Sequence, residues 1–191
     1  MYICLKFILF ALEIFAETER LILRELLPTD DKGMFELDSD PDVHTFLGKT
    51  PIQTLQQAQD MIAYVRQQYI DNGIGRWAVV DKNTNEFMGW TGLKFVRETV
   101  NNQTDYHDFG YRFIKRFWGK GYATETALPS LQYGFDVLNL KEIYGMVDAE
   151  HKASRNIMVK AGLTLVNPFD FRGIPHVCYK ITKEEFDAKR K

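Results

Sequence analysis

The stretch richest in chemistry is Arg116-Phe117-Trp118-Gly119-Lys120-Gly121-Tyr122-Ala123. A strand pattern over Tyr106 to Ile114 runs into it, and Thr124 to Leu138 behind it has the composition and spacing of a helix. Strand, glycine loop and helix in that order aim a fan of backbone N–H groups at one spot. Free amides at a helix N-terminus carry partial positive charge, and glycines let a ligand approach the main chain with no Cβ in the way. Such a loop suits a pyrophosphate. A dinucleotide fingerprint fits poorly, because Thr124 stands where its third glycine belongs and the loop comes late in the chain. A P-loop is also absent, since no Gly-Lys-Ser/Thr follows at its spacing.

The elements around the loop follow from periodicity. Arg20 to Leu26 partly alternates charged and aliphatic residues, as a half-buried first strand does. Pro28, Thr29 and Asp30 break it, and a helical stretch through Met34, Phe35 and Leu37 follows. Thr54 suits the cap of a long helix in which Leu55, Ala58, Met61, Ile62, Val65 and Tyr69 recur at helical spacing, stopped by Asn72-Gly73. Arg76 to Val80 and Glu86 to Leu93 are predicted to form a hairpin. After the loop and its helix, Lys141 to Val147 is a further strand, and His151-Lys152-Ala153-Ser154 opens a helix ending at Lys160-Ala161-Gly162-Leu163.

At 191 residues the chain is one domain with peripheral additions. A formal charge of −2 lacks the electrostatic footprint of a nucleic-acid binder. Cys4 and Cys178 make no disulfide framework and have no zinc-type spacing, so a reducing, metal-free setting is expected. Met1 to Ala16 is apolar apart from Lys6 and Glu13 and is too short to span a bilayer. It matches a signal peptide weakly; the alternatives are an extra strand or helix packed on the domain, or an upstream extension from a misplaced start. The expected boundary is an extension over 1–16 and a single domain over 17–191.

Arg116, Gly119 and Gly121 fill every defined position of Gln/Arg-x-x-Gly-x-Gly/Ala, and the block resembles the acetyl-CoA loop of the GNAT N-acetyltransferase superfamily. His151-x-x-Ser154 followed by Lys160-Ala161-Gly162-Leu163 resembles that family's Asn-x-x-Ser and Lys-x-Gly-Phe stretch. Arg20-Leu21-Ile22-Leu23-Arg24 is similar to the opening strand of the branch holding the ribosomal-protein N-acetyltransferases of RimJ/RimL type. The resemblance spans about Thr18 to Lys183. It implies an α/β (α+β) GNAT fold, with a mixed, mostly antiparallel sheet splayed at the acetyl-CoA loop and flanked by helices. The implied reaction is direct transfer of acetyl from acetyl-CoA, with no metal, to a primary amine of a protein N-terminus or a small molecule.

The resemblance also distributes roles. Arg116, Trp118, Gly119, Lys120, Gly121, Tyr122 and Ala123 would hold the cofactor, with the Phe113 and Ile114 backbone at the thioester carbonyl and His151 and Ser154 along the pantetheine arm. His151 departs from the family's Asn, though imidazole still donates and accepts one hydrogen bond. Met158 stands where many members carry a proton-donating tyrosine, leaving Ser154 as general acid, or otherwise as a helix-start hydroxyl. Asp108 is the candidate base, with His176 next; a solvated or turn-capping Asp108 is the alternative. An α-amine with pKa about 7.7 to 8.0 needs only ~1.4 kcal/mol to be neutral at pH 7, against about 4.6 for lysine. The acidic group Asp30, Asp31, Glu36, Asp38, Asp40 and Asp42 lies where relatives form the acceptor cleft and would attract a cationic amine, unless it is simply a solvated face. A cytoplasmic monomer or homodimer with no membrane or nucleic-acid partner completes the expectation. The alternatives are a CoA-binding regulatory module without turnover and a nicotinamide-dependent oxidoreductase.

Overall fold

The computed structural model describes residues 12–190. The apolar segment up to Ala11, on which the signal and start-site readings turn, lies outside the described residues. Its continuation does not form a separate extension: β1 (Ile14–Glu17) pairs antiparallel with β2 (Leu21–Arg24), and Phe15 stacks on Trp77 at 4.8 Å. The sheet therefore reaches across the boundary expected at residues 16 and 17.

Next come α1 (Asp31–Ser39) and α2 (Leu55–Asn72). Thr54 caps α2 as expected: its hydroxyl accepts from the Gln57 amide, and the Gln57 side chain accepts in return from the Thr54 amide at 3.0 Å. Gly73 ends the helix at φ 68°, a left-handed conformation that a Cβ would strain. The strands β3 (Trp77–Asp81) and β4 (Phe87–Val96) form the expected hairpin, and β5 (Tyr106–Phe113) continues it. Beyond the glycine loop lie α3 (Tyr122–Asp136), β6 (Glu142–Asp148) and α4 (Lys152–Lys160). The hairpin β7 (Thr164–Phe171) and β8 (Ile174–Thr182), then α5 (Lys183–Lys189), close the chain.

Among the described residues, eight strands make one sheet in the order β1-β2-β3-β4-β5-β6-β8-β7. All neighbours are antiparallel except β5 and β6. Alternation along β3 shows how the sheet builds two cores. Trp77 and Val79 enter a cluster with Leu93, Phe109, Leu131, Phe135 and Phe186 on the α3 and α5 side. Ala78 and Val80 face the other way, onto Met34, Leu37, Ala58 and Ile62 of α1 and α2. Both faces being covered explains why β3 is apolar at four successive positions and not alternating.

The feature that positions the site is a splay. The β4–β5 ladder runs through eight pairs, from Gly89↔Phe113 to Val96↔Tyr106. Between β5 and β6 a single pair, Asp108↔Tyr144, is in register. From there toward the glycine loop the two strands part, and the polar groups on that edge of β5 face a gap.

Candidate active site

The glycine loop fills the mouth of this gap. Gly119 and Gly121 adopt φ 73° and 84°, which turn the chain into α3, whose N-cap is Gly121 with no side chain bonded back to it. Trp118 still donates its amide to Lys115 O at 3.0 Å, and Glu125 donates to Gly121 O at 3.0 Å. The six amides between them, Gly119 to Thr124, have no acceptor among the described residues. A Cβ at Gly119 would meet nothing within 4 Å, so a ligand can reach the main chain there. Free donors at the head of a 15-residue helix are what a diphosphate requires, so the residues present fit a coenzyme A diphosphate. Lys120 is exposed on this loop with no carboxylate partner among the described residues, leaving its ammonium for a phosphate.

Arg116 and Trp118, both expected at the cofactor, each make contacts within the protein. The Arg116 guanidinium is held by Glu86 at 2.5 Å and by Glu36, two carboxylates from other elements, whereas Lys120 has no such partner among the described residues. Trp118 donates its indole N–H to the Phe113 carbonyl at 2.7 Å, tying the loop to the end of β5. A brace that sequence reasoning missed is Arg20. It pairs with Glu125 at 2.5 Å, donates to Lys120 O at 3.2 Å and lies 4.2 Å over the Tyr122 ring. Its only sequence signal was a place in the opening strand motif.

Within the splay, the Ile114 amide donates to Met88 O on β4 at 3.0 Å, so it is not the free donor expected there. Because polar groups alternate along a strand, Tyr111 and Phe113 turn theirs away from β4 and into the gap. The indole bond to Phe113 O lies on that same side. Ser154, in the first turn of α4, reaches the gap from β6's side and is 9% exposed. The Tyr111 hydroxyl donates to Ser154 Oγ at 3.1 Å. Burial pushes the Tyr111 phenol up to about 12, so it stays protonated at neutral pH. Nothing in the sequence links positions 111 and 154; the contact is made by the fold. Met158 is 2% exposed and packs under Gly145, a core role that agrees with its inability to move protons. His151 holds the N-cap position of α4 with no side-chain bond to the helix, and stacks on Phe46 at 4.3 Å, bringing the α1–α2 connection across the mouth of the gap. Burial lowers the His151 pKa and keeps the ring neutral.

On the other face of β5, Asp108 forms an ion pair with Arg76, which is 8% exposed and also donates to Asp108 O at 2.7 Å and to Gly92 O. This carboxylate is occupied by a buried cation, an arrangement that holds strands together. His176 lies between Phe169 and Phe171 with Nδ1 at 2.9 Å from Ile174 O. The acidic group is likewise spoken for. Asp30 is held bidentately by Arg24 at 2.7 Å, Asp38 by Arg112 at 2.5 Å, Asp42 by Lys115 and Glu36 by Arg116. Asp31 accepts from Gln59, and Asp40 from the Asp42 amide. It is therefore not a bare negative surface awaiting a cation.

A hollow of about 180 Å³ opens between α1, α2 and the β4–β5 hairpin. Trp90 stands in its wall with Arg76 and Arg112 at 5.3 and 5.0 Å from its ring centre. It borders the same stretch of β5 that faces the splay. A larger hollow of about 440 Å³, lined by Pro28, Arg66 and Ile70 among others, lies on the outer side of α2 and includes no residue of the loop or the splay.

Comparison with known proteins agrees with this geometry. The acetyltransferase (GNAT) domain family matches residues 20–164. The uncharacterized protein YkkB of Bacillus subtilis is 32% identical over 147 residues, covering 76% of this chain and 83% of its own. An uncharacterized N-acetyltransferase, p20 of Bacillus licheniformis, is 30% identical over 141 residues, covering 74% and 77%. Among solved structures, the spermidine N-acetyltransferase of Vibrio cholerae in complex with CoA and spermine superposes with a TM-score of 0.70 at 19% identity, covering 87% of this chain and 97% of that one. The family match takes in the loop, the splayed strands and α4, well over half of the chain, and so the chain belongs to the GNAT acetyltransferase family as an acetyl-CoA-dependent N-acetyltransferase.

Proposed function

We propose that the chain passes the acetyl group of acetyl-CoA directly to a primary amine seated against the β4–β5 hairpin, with the acceptor a small molecule or a protein N-terminus. The observation that carries this reading is the run of six unpaired amides, Gly119 to Thr124, at the open end of a two-strand splay. Acetyl-CoA supplies the activated acyl carbon and a thiol leaving group. The chain's part is to hold, polarise and donate. The loop amides and Lys120 grip the diphosphate, with Trp118, Tyr122 and Ala123 shaping the loop and His151 beside the pantetheine arm. The Phe113 amide, turned into the gap, donates to the carbonyl oxygen as negative charge grows on it. Ser154 gives its proton to the departing sulfur, the Tyr111 hydroxyl at 3.1 Å replaces it, and Tyr111 regains a proton from solvent, which receives the one the amine releases.

The bond made is amine nitrogen to acyl carbon, the bond broken is carbon to sulfur, and the amine's surplus proton leaves to solvent. With Asp108 paired to Arg76, an α-amine of pKa about 8 needs little help from a protein base, whereas an alkylamine of about 10 reacts through its small neutral fraction, at a rate that rises with pH. The RimJ/RimL-like branch and a cytoplasmic setting belong to the same reading. The Arg20–Arg24 run supports the first, and the unpaired Cys178 thiol is compatible with the second.

The test compares melting temperatures with CoA, acetyl-CoA and NAD, followed by thiol release from acetyl-CoA with a panel of amines. Stabilisation by CoA and acetyl-CoA but not NAD, with amine-dependent thiol release, is expected. Stabilisation without release across a broad panel would replace this reading with a regulatory CoA module.

A further inference from the structure

The wall of the 180 Å³ hollow carries more positive than negative charge. Arg76 and Arg112 each have a carboxylate, Asp108 and Asp38. Lys94 has none among the described residues, although its side chain enters the same hollow and pairs across the ladder with Asp108. The groups that act on Lys94 are Arg76, Arg112, Asp108 and Glu98, and Glu98 is exposed just past the end of β4. Three cations thus meet two carboxylates at the wall, and the odd cation is a half-buried ammonium. Burial and the neighbouring Arg76 lower its pKa, the situation an arriving anion relieves.

A second, separate observation lies opposite. Gln68 of α2 is 9% exposed and lines the hollow, and its Oε1 has no donor. A buried amide oxygen left unpaired is costly unless something occupies the space and donates to it. The hollow also falls well short of the ~300–1,000 Å³ that encloses a drug-sized ligand, so it accommodates one end of an acceptor. Trp90 offers that end a flat apolar wall already flanked by two guanidinium groups.

From Lys94, Arg76, Arg112, Gln68 and Trp90 around one small hollow beside the splay, we infer that the acceptor is an amine whose other end is a carboxylate or a comparable compact anion, and not a polycation. The inference rests on the acetyl-transfer reading for the amine end of that molecule. Lys94 meets the anion, Gln68 takes an N–H of the acceptor, and the ion-paired arginines fix the wall. A polyamine in the same place would bring further ammonium groups against three cations. The bound spermine of the Vibrio cholerae structure therefore does not carry over to this chain.

The experiment uses the full chain and matched sets of three amines, each with a primary amine at one end and, two to six methylenes away, a carboxylate, a primary amide or a second ammonium. Two readouts are taken: kcat/KM for thiol release from acetyl-CoA, and the melting shift each compound adds to the CoA-saturated protein. The carboxylate is expected to lead the amide by about tenfold or more in its best set, the scale of one charge-assisted hydrogen bond, and the diamine by more. In Lys94→Gln that lead is expected to collapse, and in Lys94→Arg to persist, with stabilisation by CoA reporting that each variant is folded. An amide or diamine equal to the carboxylate in every set, or a carboxylate lead that survives Lys94→Gln, overturns the inference and leaves acetyl transfer standing. Carboxylate-selective stabilisation with no thiol release from any amine sustains the inference and removes the transferase reading instead.

Discussion

Ser154 and Tyr111 meet at 3.1 Å from opposite sides of the splay, one on a helix after β6 and the other on β5. If the serine supplies the leaving-group proton, Ser154→Ala lowers kcat by about 10²-fold with little change in KM for acetyl-CoA, within the range for loss of a positioned acid. Tyr111→Phe removes only the hydrogen bond behind it, and its loss in kcat is up to about tenfold. Steady-state kinetics on folded variants check both, and a Ser154→Ala enzyme with unchanged kcat would leave the serine as a helix-start hydroxyl. At this scale the sequence was legible where chemistry is local. The Gly119-x-Gly121 spacing announces its own backbone geometry, because left-handed φ values are what glycines are for. It was not legible where function depends on who neutralises whom. Arg116 fitted the motif but is held by Glu36 and Glu86, and Asp108 looked free but is held by Arg76, a partner 32 positions away.

The elements hold these groups in place through devices that can be removed singly. Gly119→Ala puts a Cβ on a residue at φ 73°, which costs ~1–2 kcal/mol of stability, measurable by urea unfolding. That Cβ meets no protein atom, so a rise in Kd for CoA of about tenfold, beyond what unfolding explains, reports blocked approach to the main chain. Asp30→Asn cuts the bidentate bond to Arg24, a pair 6% and 8% exposed that ties β2 to the turn before α1. Breaking a buried pair from one side costs about 3–5 kcal/mol, so a large fall in unfolding midpoint is expected, with acetyl-CoA affinity little changed. Helix α2 and the β3–β4 hairpin were legible because cap, periodicity and stop signals coincide within a few residues. The start of α3 was placed two residues late, since Tyr122 and Ala123 belong both to the loop motif and to the helix. The β7–β8 hairpin was not delineated in the sequence: its outer strand is an edge with Leu165 and Val166 about half exposed, and it lacks a clean polar-apolar alternation.

At the scale of the whole molecule, three of the four histidines, His44, His107 and His151, have pKa values lowered chiefly by burial. A histidine kept neutral by the fold stabilises it fully above the unfolded value of about 6.5. That contribution declines as pH falls, because the unfolded chain takes up a proton that the folded chain refuses. His44 is 6% exposed, its ring nitrogens make no hydrogen bond, and burial outweighs the Asp38 carboxylate 3.8 Å from Nε2, so it alone gives a slope of up to ~1.4 kcal/mol per pH unit. The urea midpoint is therefore expected to drop between pH 7 and 5.5, and less so in His44→Asn; an identical drop in both would remove His44 from the account. A mixed, mostly antiparallel sheet splayed at the loop was implied by the family resemblance, whereas the order of its strands was not legible, because periodicity marks elements without their neighbours. The main-chain donors beside the β5–β6 splay carry the cofactor in this mechanism. Hydrogen–deuterium exchange of the full chain with and without CoA tests them directly. New protection concentrated in Gly119 to Thr124 is predicted, and saturating CoA binding with unchanged exchange across those amides would contradict it.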